Sequence, residues 1–74
     1  MSKLVILNNS VGEVIIANVS KEQENILEEK YDDNIEEWLS EEGIEEKLGI
    51  NMSNCNYMWM GEGQSIREIE IHHI

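Results

Sequence analysis

The chain has 74 residues, sixteen acidic side chains against five basic ones, a single cysteine and no proline or phenylalanine. A chain this short is one domain of roughly 4,700 Å² folded surface that buries only about 60% of what its unfolded form exposes, with no room for a deep substrate cleft. Its 41% hydrophobic content supports a modest core, the lone Cys55 rules out an internal disulfide, and a net charge of −11 disfavours direct binding to nucleic acid or an anionic membrane.

Residues 3–18 read as a hairpin. Leu4–Leu7 and Val14–Ala17 are short aliphatic runs separated by Asn8-Asn9-Ser10-Val11-Gly12, with Gly12 free to take a positive φ. The four aliphatics after Lys3 are too few for a signal-peptide core or a membrane span, so a cytoplasmic protein, bacterial or phage-encoded in a host cell, is expected. Both faces of these strands are apolar: Leu4 and Ile6 point one way, Val5 and Leu7 the other.

Residues 20–48 read as an acidic helical segment. Ser20-Lys21-Glu22-Gln23 is a capping box, and Ile26, Leu27 and Tyr31 supply a buried stripe. Asp33-Asn34-Ile35-Glu36 restarts the pattern, with Ile35, Trp38 and Leu39 on one helical face. Ile44 falls on the opposite side, so Gly43 ends or kinks this helix, Ile44–Leu48 forms a short extra turn and Gly49 closes it. Between Lys21 and Lys47 stand twelve acids against three bases, a net of nine negative charges.

Residues 52–73 read as a second hairpin around the loop Gly61-Glu62-Gly63-Gln64-Ser65. With Met60 opposite Ile66, Trp59 faces Arg67, Tyr57 faces Ile69 and Cys55 faces Ile71. The alternate pairs are Met58 with Glu68, Asn56 with Glu70 and Asn54 with His72, so one face is apolar and the other polar. The whole reads as an α+β domain of order ββααββ, two β-hairpins forming a four-stranded antiparallel or mixed sheet with helices on one face. The second set of hairpin aliphatics must then be covered by Ile44–Ile50, by a second copy of the chain or by a partner.

Chemistry at a catalytic or metal site is poorly provided for. Cys55 and His73 share a face as diagonal neighbours, but no orienting carboxylate or amide accompanies His73, and the acidic field opposes thiolate formation. One cysteine and an adjacent histidine pair lack zinc spacing, and a calcium loop begun at Asp32 would place Glu37 where glycine is required. Gly61-x-Gly63 lacks a third glycine and lies between antiparallel strands, so it is a turn rather than a nucleotide fingerprint. The expectation is a non-enzyme without metal or cofactor.

The acidic tract is the feature that exceeds ordinary solubility. Doublets occur at Glu28-Glu29, Asp32-Asp33, Glu36-Glu37, Glu41-Glu42 and Glu45-Glu46. On a helix this gives about one charge per 3 Å, close to the phosphate spacing of a DNA strand, roughly 3.4 Å. Up to seven i,i+4 acid–acid pairs between Glu28 and Glu46 would cost roughly 1.5–3 kcal/mol if all were helical.

In size and charge the chain is similar to phage-encoded nucleic-acid mimics and to anti-defence proteins such as anti-CRISPRs. That resemblance implies an inhibitor docked on a basic protein, such as a nucleic-acid-binding enzyme. From the spacing, Glu28, Glu29, Asp32, Asp33, Glu36, Glu37, Glu41 and Glu42 would pair with its Lys and Arg. Met58, Trp59 and Met60 form a secondary contact patch. The alternative is a homodimeric structural or adaptor subunit joined through Val5, Leu7 and their partners in Val14–Ala17, the acids only maintaining solubility.

Overall fold

The computed structural model describes residues 2–72. Strand β1 (Ser2–Asn8) pairs antiparallel with β2 (Glu13–Val19), Ser2 opposite Val19 and Asn8 opposite Glu13. The loop between them closes through Gly12 N–H donating to Asn8 O at 2.9 Å, with Gly12 at φ 69°. Asn8, buried at its start, accepts on Oδ1 from the Ser10 N–H and hydroxyl.

Three helices follow, α1 (Lys21–Tyr31), α2 (Ile35–Glu41) and α3 (Ile44–Leu48), then a single 3-10 turn at Met52–Asn54 and strand β3 (Cys55–Met60). β3 pairs antiparallel with the far edge of β1, Leu4 opposite Trp59 and Asn8 opposite Cys55. The sheet order is therefore β2-β1-β3. β2 and β3 run parallel to each other with β1 between them, and the helices form the crossover that joins them.

That crossover puts the helices on one face. Leu4, Ile6 and Val19 of the sheet meet Leu27, Tyr31, Trp38 and Leu39 of the helices, with Met52 closing one end. Trp38 and Trp59 pack edge to face, centroids 6.3 Å apart, joining α2 to β3. Ile44, Leu48 and Ile50 pack on this same core, so they do not cover the other face of the sheet.

The α+β class and one-sided helices agree with the sequence, but the sheet has three strands where four were expected. The order is ββααα followed by one strand, and residues 64–72 belong to no strand or helix. None of the expected pairs from Met60–Ile66 to Asn54–His72 is made. The turn explains this. Gln64 N–H donates to Gly61 O at 3.4 Å, and Gly63, the third residue, has φ 86° while Glu62 keeps a negative φ. That is the type II pattern, whose twist splays flanking strands instead of pairing them. His73, expected beside Cys55, lies outside the described residues.

The exposed surface is 5750 Å², about 1,000 Å² more than a compact chain of this mass presents. The radius of gyration is 13.9 Å, against about 11 Å for a compact chain of this length. No helix among the described residues is long and apolar enough to cross a membrane.

Candidate protein-binding surfaces

The acidic surface rests on how the helices begin and end. Ser20 Oγ accepts from Gln23 N–H at 3.2 Å and starts α1. The Gln23 side chain does not complete the capping box; it accepts instead from Trp38 Nε1 at 3.1 Å, tying α1 to α2. α1 ends where Asp32 and Asp33 both turn left-handed, φ 52° and 63°, a conformation that Asp tolerates better than most residues. Their N–H groups both reach Leu27 O, satisfying the helix end. Asn34 then caps α2, its Oδ1 accepting from Glu37 N–H at 3.1 Å. Gly43 and Gly49 bracket α3 with φ 71° and 69°, where the sequence placed the breaks.

These breaks change the charge geometry. Of the acid pairs four apart between Glu28 and Glu46, only Glu37–Glu41 lies within one helix. The doublets fan across three short helices instead of forming one row, and the intrahelical repulsion from that set falls to about 0.2–0.5 kcal/mol. Glu28, Glu29, Asp32, Asp33, Glu36, Glu37 and Glu41 are nonetheless all exposed. Their carboxylates have no hydrogen bond or ion pair among the described residues.

Glu42 behaves differently. It is half-buried and accepts from Tyr31 Oη at 2.5 Å and from Lys30 Nζ at 3.3 Å. Lys30 also sits 5.4 Å from the Tyr31 ring centroid. The Tyr31 hydroxyl, followed by Lys30, holds the Glu42 carboxyl below the ordinary carboxylate range. The same contacts with Glu42 raise Tyr31 and Lys30 above their ordinary values. Glu24 is similarly committed to the fold: the buried Ser2 hydroxyl donates to it and lowers its carboxyl, with Lys21 adding a smaller effect in the same direction. Glu45 Oε1 accepts from Met52 N–H at 3.0 Å. Nothing in the spacing separates these structural acids from the free ones; only the tertiary partners do.

The second surface is the face of the sheet opposite the helices. Pairing places Val5, Ile16 and Met58 abreast, with Leu7 and Val14 beside them. Val14 is 62% exposed, Met58 58% and Ile16 47%, and Leu7 is exposed as well. The surplus of aliphatics read in the hairpin is therefore real and uncovered. The Met58–Met60 patch, by contrast, divides three ways. Met58 joins this open face, and Trp59 points into the core against Trp38. Met60 shares Lys3's side of the sheet, and both line a depression together with residues 61–66. Met60 is buried.

Cys55 Sγ donates to Asn51 O at 3.4 Å, while His72 Nε2 lies 3.1 Å from Glu70 Oε2. Each of these two side chains thus has its own separate neighbour. Among the described residues no group of three His, Cys, Asp or Glu side chains could hold a metal ion. A depression of about 500 Å³ between α1 and Trp59 is an open groove lined in part by Ser2, Glu24, Glu28 and Asp33. Compared with known proteins, the chain matches no family model, no curated protein and no solved structure, and these surfaces stand on their own geometry.

Proposed function

We propose that the protein is a non-enzymatic binding domain that sets its acidic helices against a basic protein surface. In the concrete form it is a cytoplasmic inhibitor occupying a nucleic-acid-binding groove. One observation carries the reading: seven exposed carboxylates, Glu28, Glu29, Asp32, Asp33, Glu36, Glu37 and Glu41, that the fold leaves without counter-charges among the described residues. Such a field accelerates encounter with a cationic partner by roughly ten- to a thousandfold at low salt. The test is capture from source-cell lysate, comparing the native chain with Glu28→Gln/Glu29→Gln/Glu36→Gln/Glu37→Gln. Glu42 is left intact because it holds Tyr31 and Lys30. The expected result is a basic protein retained by the native chain, released by salt or by added duplex DNA, and lost with the variant. Retention that survives all four substitutions overturns the reading.

A second reading, a homodimer through the open sheet face, is favoured by the exposure of Leu7, Val14, Ile16 and Met58 on one side of the sheet. Leu7→Asp/Ile16→Asp then yields a monomer by light scattering where the native chain is a dimer. A native chain that stays monomeric throughout a dilution series removes this reading.

A further inference from the structure

The segment after β3 and the edge of the sheet each lack what the other has. β3 is bonded to β1 on one side only, and no strand lies on its other edge among the described residues. On the helix side, Tyr57 is 38% exposed and Cys55 half-exposed, because the sheet stops there. Residues 64–72 follow as unpaired backbone with Ile66, Ile69 and Ile71 at 52%, 63% and 68% exposure. Ile69 and Ile71 alternate with Glu68, Glu70 and His72, the two-residue period of a strand with one apolar face. An unpaired edge next to an unpaired strand-like segment is a combination that soluble proteins seldom leave open.

We propose that residues 66–71 add as a fourth strand to β3 of a second copy of this chain, reciprocally, in a strand-exchanged dimer. The type II turn at Gly61–Gln64 directs the segment away from its own β3, so the same antiparallel pairing is available only across copies. In that register Ile69 lands on Tyr57 and Ile71 on Cys55, covering the two exposed helix-side positions of β3, while Glu68 and Glu70 stay on the solvated side. The surface excess of each copy is of the right size. Removing about 1,000 Å² from both would bury about 2,000 Å², at the upper end of the 1,200–2,000 Å² of ordinary stable interfaces. The proposal is independent of the acidic helices and uses the sheet's edge rather than its open face.

The test is Ile71→Cys in the full chain, which adds one thiol opposite Cys55, within disulfide reach for directly paired strands. Mild oxidation with oxidised glutathione is followed by non-reducing electrophoresis and mass spectrometry, with far-UV circular dichroism checking the fold. The expected product is a covalent dimer of twice the chain mass, held by two bridges that each join Cys55 of one copy to the introduced thiol of the other. It should be absent from the native chain and from the variant that also carries Cys55→Ser. A bridge between Cys55 and the introduced thiol of the same chain means that the hairpin closes on itself and overturns the exchange. Free thiols at all protein concentrations, or dimers that persist without Cys55, overturn it equally. A face-to-face dimer of sheets would not produce this bridge, and loss of the acidic carboxylates would not prevent it.

Discussion

Glu42 occupies the same sequence pattern as its neighbours Glu36, Glu37 and Glu41, yet it alone of the four is taken up by the fold, between Tyr31 Oη and Lys30 Nζ. Its carboxyl is depressed in the folded state, so its contribution to stability is present above the unfolded carboxylate value and fades as pH falls through the folded one. Tyr31 and Lys30 are raised, so theirs is complete below their unfolded values and fades as pH climbs through the folded ones. Thermal melts of Glu42→Gln should accordingly lie below those of the native chain near neutrality, with the gap closing as pH falls through the depressed folded value of Glu42. A gap of constant size across that range would show that Glu42 acts by shape alone. At this scale the sequence was legible for residues whose role is local. Ser20, Gly12, Gly43 and Gly49 take the conformations their types predict. It was not legible for Glu24, Glu42 and Glu45, whose partners come from other elements.

Among the elements, the short helices depend on their ends more than on their interiors. α2 has seven residues and carries Trp38 and Leu39 into the core, but it follows two left-handed aspartates and has no basic residue in its last turn. The bond from Glu37 N–H to Asn34 Oδ1 is what starts it. Asn34→Ala should cost about 1 kcal/mol in a urea titration, with little change in slope. A null effect would move the origin of α2 to the packing of Trp38. The helical breaks could be read in advance because caps and glycines act over one turn. The second hairpin could not. Alternation in residues 66–71 states that the segment suits a strand, not which strand it joins, and the twist of the Gly61–Gln64 turn depends on φ values that composition does not set. The apolar face of β3 was nevertheless correct: Cys55, Tyr57 and Trp59 share the helix side with Asn8, Ile6 and Leu4.

For the whole molecule, charge and shape both depart from those of an ordinary small domain. With nine net negative charges between Lys21 and Lys47, folding gathers like charges that the unfolded chain can hold apart. Salt should therefore stabilise it: raising sodium chloride from about 0.05 to 0.5 M is expected to lift the melting temperature by on the order of 5 °C. A melting temperature that falls would mean that the Lys30–Glu42 pair outweighs the repulsion. The acidic surface and the surplus of aliphatics were both visible in composition and spacing, because each depends only on which residues are present in a short window. The strand order was not, since β1 meets β3 across more than forty intervening residues. That order has a bearing on how the protein is made. The strand at the centre of the sheet is the first of the three to leave the ribosome, and one of its two neighbours is the last. A nascent chain can close the β1–β2 hairpin early, yet Leu4 stays uncovered on one flank until Trp59 has been synthesised. The oldest strand thus spends longest unfinished.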